Sequence, residues 1–169
     1  MQNGSVTELP EDARAAAHAL TRVARVLEHT LPRATTTELS MADFRMLSAV
    51  ADGEGRASRL AERLAIGKPT VSSTVDALVR RGLLVRTTHD VDQRAVDLAL
   101  TGDGERAQRE AEDALAALIV EIAARTPDPA ATLAALAGFG DALEQRQADA
   151  AASRAAARAT ESAARAARG

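Results

Sequence analysis

Residues 58–101 read SRLAERLAIGKPTVSSTVDALVRRGLLVRTTHDVDQRAVDLALT. This stretch predicts two short helices followed by two strands. Ser58 is suited to cap the first helix, which is expected to stop at Gly67. Pro69 stands in the first turn of the second helix, where a backbone N–H has no partner and the fixed φ of proline suits the helix. The two helices are therefore expected to form a helix–turn–helix.

The second helix is predicted to bury one side and to end at Gly82. Its apolar residues recur with helical spacing, at Val71, Val75, Leu78 and Val79. Residues 83–88 are expected to be extended, residues 89–94 to form a polar turn, and residues 95–100 to alternate between apolar and polar side chains. A hairpin that follows a helix–turn–helix makes the segment a winged helix–turn–helix.

Helical periodicity continues on the N-terminal side. Residues 12–30 predict a helix that ends at Leu31-Pro32, because the residue before a proline is disfavoured in the helical region. Ser40 is suited to cap another helix, which Gly53 closes.

Two more helices are predicted on the C-terminal side. A long one starts at Gly104 and is stopped by Pro127 and Pro129, and a last one covers residues 130–147. Residues 148–169 contain no leucine, isoleucine, valine or aromatic residue, so they are expected to form an exposed helix or a disordered tail. The fold class expected is mainly α with a small antiparallel β-hairpin.

Composition excludes several classes of function. The chain has no cysteine, which excludes disulfides, thiolate zinc sites and cysteine nucleophiles. Phe44 and Phe139 are its only aromatic residues, which argues against a stacking platform for single-stranded nucleic acid. No apolar run is long enough to span a bilayer, and the acidic N-terminus lacks the layout of a signal peptide. We expect an intracellular, cytoplasmic protein.

The sequence also lacks the spacings typical of enzymes. It contains no Ser/His/Asp arrangement, no glycine-rich phosphate loop and no paired carboxylates in a plausible cleft. A metal site is conceivable at Glu28-His29, or at His89 with its neighbouring aspartates, but three scattered histidines do not have ligand spacing. We therefore expect neither an enzyme nor a cofactor or metal.

Charge is distributed unevenly along the chain. Residues 53–94 carry a net charge of +3, whereas residues 1–52 carry −2 and residues 95–147 carry −6. A polyanion would be attracted to the central segment and repelled by its flanks, which favours a docked DNA-binding module over a non-specific coat.

The second helix of the helix–turn–helix is predicted to expose small polar side chains on its unburied side. Short hydroxyl side chains let a helix enter the major groove and bond to base edges or phosphates, and Lys68 adds charge at the N-terminus of the helix. The alternative is a solvated helix of an ordinary helical domain. The exposed residues expected are Thr70, Ser72, Ser73, Asp76 and Arg80.

Three groups of residues between Leu39 and Glu105 form a recognisable pattern. They are Ser58-Arg59-Leu60-Ala61-Glu62-Arg63-Leu64; Pro69-Thr70-Val71-Ser72 with Val75, Leu78, Gly82, Leu83 and Arg86; and Asp90-Val91-Asp92-Gln93-Arg94 with Leu100-Thr101 and Gly104. Together they make this part of the chain resemble the multiple-antibiotic-resistance regulator (MarR) family of bacterial transcription factors. The first group resembles the opening helix of the family's helix–turn–helix, the second its recognition helix and the strand that follows, and the third its wing.

The resemblance implies binding to double-stranded DNA. It places Arg94 at the wing tip, where an arginine can enter the minor groove, and Asp92 is close enough to restrain it. The alternative is a surface turn with one ion pair. Many members have a basic residue where this chain has Ser73, so base reading is expected to depend more on hydroxyl groups, Lys68 and DNA shape. The DNA-binding residues expected are Ser58, Lys68, Pro69, Thr70, Ser72, Ser73, Asp76, Arg80, Arg86, Asp92 and Arg94.

The resemblance further implies a homodimer, usually a repressor, that leaves a pseudo-palindromic operator when a small anionic or phenolic effector binds. The effector-binding residues expected are His18, Arg22, Arg25, Phe44 and Leu47. The regions expected are an N-terminal dimerisation helix (1–38), the winged helix–turn–helix (39–103), C-terminal dimerisation helices (104–147) and an Ala/Arg-rich tail (148–169). The alternative function is a winged-helix protein-interaction module that does not bind DNA.

Overall fold

A computed structural model describes residues 10–89 and 92–166, with side chains described for residues 10–87, 97–161 and 165. The elements are α1 (Glu11–Ala34), α2 (Met41–Ala51), α3 (Ala57–Arg63), α4 (Lys68–Arg80), β1 (Leu84–His89), β2 (Asp92–Leu100), α5 (Gly102–Ala123) and α6 (Pro129–Ala166). The two strands pair in one antiparallel sheet. The chain is mainly α with a small antiparallel hairpin, as predicted.

Helix α1 passes through Pro32 and ends at Ala34, so the predicted end at Leu31-Pro32 is wrong. A proline this close to the end of a helix removes only one of the last backbone hydrogen bonds. Leu31 offsets that loss, because its side chain is fully buried in the core. The hydroxyl of Thr35 then donates to the carbonyl of Leu31 at 3.2 Å and accepts the N–H of Leu39 at 3.1 Å, which fixes the chain as it leaves the helix.

The start of α2 confirms one predicted cap, and the start of α3 contradicts another. The Ser40 hydroxyl accepts the N–H of Asp43 at 3.1 Å, and the Asp43 carboxylate accepts the N–H of Ser40 at 3.1 Å. Ser58 was expected to cap α3 but lies inside it. The carbonyl of Arg56 already accepts the N–H groups of Arg59 and Leu60, so the helix begins before Ser58.

Helix α3 is shorter than predicted, whereas α4 begins and ends as predicted. The expected stop of α3 at Gly67 is wrong, because the helix ends at Arg63 and Ala65 has a left-handed φ of 53°. Pro69 lies in the first turn of α4. Gly82 follows α4 with a φ of 71°, a backbone conformation that glycine adopts without strain.

The strands of the hairpin come closer to its turn than expected. Residues 89–94 were predicted as a polar turn, but β1 reaches His89 and β2 begins at Asp92. Polar side chains do not prevent strand pairing, since the ladder is formed by backbone groups. The pairing register shifts between Thr88 and His89. Asp90 and Val91 lie outside the described residues.

One hydrophobic core joins α1, α2, α3, α4, the hairpin and the start of α5. It fixes the orientation of α4, because that helix contributes three buried apolar side chains. The fully buried side chains with the largest volumes are Leu31, Leu39, Met46, Leu47, Leu60, Leu78, Leu84 and Val71.

The chain divides into two compact units, residues 1–116 and residues 117–169. In the second unit the Asp128 carboxylate accepts the N–H of Ala131 at 2.9 Å at the start of α6. Helix α6 continues without a break to Ala166, so the Ala/Arg-rich tail is helical as far as that residue. None of the described helices is apolar enough over a sufficient length to cross a membrane.

Candidate nucleic-acid interface

Helix α4 turns one side to the core and presents the other to solvent. Val71, Val75 and Leu78 are at most 3% exposed. The Ser73 hydroxyl donates to the carbonyl of Thr70 at 3.0 Å, which leaves its oxygen free to accept a bond from outside. The solvent side therefore carries mostly short polar side chains, which suit a helix that enters the major groove. The exposed residues are Pro69, Thr70, Ser72, Ser73 and Arg80, and Asp76 is half-buried.

Positive charge lies at both ends of α4, at Lys68 and at Arg80. Lys68 is the first residue of α4 and is exposed, and the first backbone N–H groups of the helix lie beside it. Ser58 is exposed on α3. Within the described part of the chain, Lys68 and Arg80 have no carboxylate at ion-pair distance. Both cations are therefore available to a polyanion.

Arg86 is held differently, because it forms an ion pair with Asp76. A terminal nitrogen of the Arg86 guanidinium lies 2.5 Å from an oxygen of the Asp76 carboxylate. Both side chains are 46% exposed. The pair joins β1 to the solvent side of α4. It also brings a guanidinium to that surface, where Ser73 has only a hydroxyl group. Two residues that the sequence predicted as separate DNA contacts are thus one unit.

Four other arginines of the helix–turn–helix also have carboxylate partners. Sequence reasoning missed all of these pairs, because most of the partners lie on different elements and only the fold brings them together. Much of the positive charge of residues 53–94 is therefore neutralised within the protein. The pairs are Arg56–Asp97, Arg59–Glu54, Arg63–Asp52 and Arg81–Asp43.

A cleft of about 320 Å³ lies between α3, α4 and the hairpin. Arg86 and Lys68 contribute its charged groups, and most of the remaining lining is apolar. It brings Ser58, Lys68, Ser72 and Arg86 of the predicted DNA-binding set together in one place. The lining residues are Ala57, Ser58, Lys68, Val71, Ser72, Val75, Arg86 and Leu98.

For the wing, the structure describes the backbone of both strands but not the residues between them. Asp92 and Arg94 lie in β2, and their side chains, like residues 90 and 91, are outside the described part of the structure. The predicted restraint of Arg94 by Asp92 and its entry into a minor groove therefore stay predictions.

The predicted effector residues do not share one environment. His18, Arg22 and Arg25 are exposed on α1, Phe44 is partly buried against the core, and Leu47 is fully buried within it. A separate open cleft of about 610 Å³ lies at the C-terminal end of α1, and it is lined by Glu28, His29, Pro32, Arg33, Thr35, Thr36 and Glu38. No group of three or more possible metal ligands occurs among the described residues, including Glu28 and His29.

Residues 37–95 match the family model described as the MarR family. These residues contain α2, α3, α4, β1 and the first part of the wing strand β2, as far as residue 95. The winged helix–turn–helix is therefore similar to the MarR family. No curated protein is significantly similar to the chain in sequence.

Solved structures of several other proteins, transcriptional regulators among them, have the same fold. The PcaV transcriptional regulator from Streptomyces coelicolor, solved with its natural ligand, is 24% identical and covers 89% of this chain and 99% of its own, with a TM-score of 0.59. A mutant of MarR from E. coli is 21% identical over 79% of this chain and 98% of its own, with a TM-score of 0.65. CouR from Rhodococcus jostii RHA1, bound to p-coumaroyl-CoA, is 21% identical over 78% and 91%, with a TM-score of 0.62. These likenesses establish the fold of this chain.

Proposed function

We propose that this chain is a homodimeric, DNA-binding transcriptional regulator of the cytoplasm, a repressor that leaves a pseudo-palindromic operator when a small effector binds. The observation that carries the proposal is the solvent side of α4. It has small polar side chains along its length, and Lys68 at its N-terminus has no carboxylate partner among the described residues. A MarR-family winged helix over residues 37–95 supports it.

A duplex can meet this surface in a defined orientation. The N-terminus of α4 and Lys68 attract phosphates, and the hydroxyl groups of Thr70 and Ser72 meet base edges in the major groove. Arg94 of the wing reaches the adjacent minor groove. Affinity therefore falls steeply as salt rises, since phosphate contacts release counterions.

Apolar side chains outside the winged segment support a dimer. On α6, Leu136, Phe139 and Leu143 recur with helical spacing and are 43–58% exposed. Leu20 and Val26 on α1 and Val120 on α5 are also exposed. A second copy would remove this apolar surface from water and place two winged segments on one operator. The regions 1–38 and 104–147 then dimerise, and within the region 39–103 helix α4 and the wing meet the DNA.

The proposal includes a binding site for a small effector. His18, Arg22 and Arg25 lie exposed on α1, a helix assigned above to dimerisation, so a site at these residues is completed by the second copy. Arginine and histidine side chains there suit an anionic or phenolic ligand. Release of DNA follows if the effector binds a dimer whose two α4 helices are spaced wrongly for consecutive major grooves.

The test combines the mass of the protein in solution with DNA binding. Light scattering gives the oligomeric state, and titration of a labelled duplex from the region upstream of its own gene, at low and moderate salt, gives the affinity. The proposal predicts a dimer whose affinity falls with salt and with Arg94→Ala. If the affinity falls with salt but not with Arg94→Ala, the DNA-binding function stands and the contact of the wing with DNA is rejected. A folded dimer that binds neither this duplex nor random genomic fragments would favour the protein-interaction module.

A further inference from the structure

Asp76 is the only acidic residue of α4, and it stands among the small polar residues on the solvent side. Its carboxylate accepts a hydrogen bond from Arg86 at 2.5 Å, and each side chain is 46% exposed. Ion pairs this exposed contribute little to the stability of a fold. The position of the pair therefore needs a reason other than stability.

Another arginine of the same segment shows what a structural ion pair looks like. Arg81 donates to the Asp43 carboxylate at 3.1 Å and to the carbonyl of Thr37 at 2.5 Å, and the Asp43 side chain is only 15% exposed. Arg81 thus joins α4 to α2 and to the loop before it. Arg86 has Asp76 as its one described partner, so its bond breaks without loosening a junction between helices.

A carboxylate on this side of α4 has a direct consequence for DNA binding. If Arg86 stays with Asp76, the guanidinium makes no phosphate contact. If Arg86 moves to a phosphate, the Asp76 carboxylate is left unpaired in a groove of negative potential. In neither arrangement does Arg86 increase the affinity for DNA of arbitrary sequence. A cytosine changes this, because its N4 amino group donates to a carboxylate in the major groove.

We propose that Asp76 is a specificity-determining residue: it holds Arg86 away from non-specific DNA and releases it to a phosphate where a cytosine amino group takes its place. This inference rests on the proposed DNA-binding function. It gives the operator one C·G base pair in each half-site that is read by Asp76, and it makes the affinity for arbitrary DNA lower than the number of arginines suggests.

The experiment starts from a duplex that the wild-type chain selects from a random-sequence library. Binding of this duplex and of a scrambled one is titrated over a range of salt for the wild type, Asp76→Asn and Asp103→Asn. Asp103 pairs with Arg106 at the start of α5, outside residues 37–95, so its variant loses the same charge elsewhere. A double variant, Asp76→Asn with Arg86→Gln, tests whether any gain passes through Arg86.

Asp76→Asn is expected to bind the scrambled duplex about threefold more tightly or better, with a salt dependence steeper by about one phosphate contact. Its preference for the selected duplex falls about fivefold or more. Selection repeated with this variant loses the C·G preference at one position per half-site. The double variant loses the gain, and Asp103→Asn behaves as wild type.

Two results would overturn this inference and leave the proposed function standing. In the first, Asp76→Asn binds the scrambled duplex no more tightly than the wild type does. In the second, Asp103→Asn gains as much affinity for the scrambled duplex as Asp76→Asn does. Wild-type protein that is folded and selects no duplex at low salt would overturn the proposed function, and this inference with it. Far-UV circular dichroism of each variant shows that it is folded.

Discussion

Gly104 packs against the carbonyl group of Leu83 so closely that a β-carbon at Gly104 would overlap the carbonyl oxygen. The same oxygen accepts the N–H of Thr101 at 3.2 Å. The first turn of α5 is therefore seated on the residue that links α4 to β1. This contact sets where α5 begins relative to the wing.

Gly104→Ala is expected to lower the free energy of unfolding by about 1–3 kcal/mol, because the methyl group forces the start of α5 away from Leu83. Urea unfolding followed by circular dichroism measures it. Gly138→Ala is the control: apart from the backbone of α6 itself, no described atom lies within 4 Å of a β-carbon there, so alanine in α6 is expected to stabilise by about 0.5–1 kcal/mol. Equal effects of the two substitutions would refute the close contact.

The Thr101 hydroxyl connects the same elements by hydrogen bonds. It donates to the carbonyl of Gly82 at 2.6 Å and accepts the N–H of Gly104 at 3.0 Å. Thr101→Val keeps the shape and removes both bonds, so the free energy of unfolding is expected to fall by about 1–2 kcal/mol. Thr160→Val is the matched control, because among the described residues that exposed hydroxyl bonds only to the carbonyl of Ala156 in its own helix. A change at Thr101 no larger than at Thr160 would contradict this role.

Local signals made the winged segment predictable from sequence. Pro69 marked the start of a helix, Gly82 its end, and the alternation after it a strand, and each of these depends on neighbouring residues alone. At the end of α1 a distant contact outweighed the local preference, because Pro32 stays inside the helix while Leu31 is anchored in the core.

The candidate site was predictable as a list of residues but not as an arrangement. Asp76 and Arg86 were both expected at DNA, and no spacing rule indicated that they bind each other. They lie on a helix and on a strand, so the turn at Gly82 and the packing of β1 bring them together. Helical spacing rules find ion pairs three or four residues apart, such as Glu121–Arg125, but not pairs of this kind.

Glu110 fixes the loop between α1 and α2 to α5. Its two carboxylate oxygens accept the N–H of Thr36 at 2.9 Å and the Thr36 hydroxyl at 2.8 Å. Glu110→Gln leaves only one accepting oxygen, so the free energy of unfolding is expected to fall by about 1 kcal/mol. Glu112→Gln is the control, since Glu112 is exposed and bonds only to Gln108 among the described residues, and a change within about 0.5 kcal/mol is expected there. Indistinguishable unfolding curves for the two variants would remove Glu110 from this role.

Lys68 provides the last prediction, which concerns DNA. Its side chain is exposed at the first residue of α4, beside the first N–H groups of the helix, so we expect it to meet phosphates and not the base edges for which the sequence also suggested it. Lys68→Gln should weaken binding of selected and scrambled duplexes by the same factor and reduce the slope of log affinity against log salt by about one. Arg106→Gln removes a positive charge outside residues 37–95 and is expected to change affinity by less than about twofold. A loss confined to the selected duplex would instead place Lys68 against a base, and an equal loss in Arg106→Gln would reduce the effect to net charge.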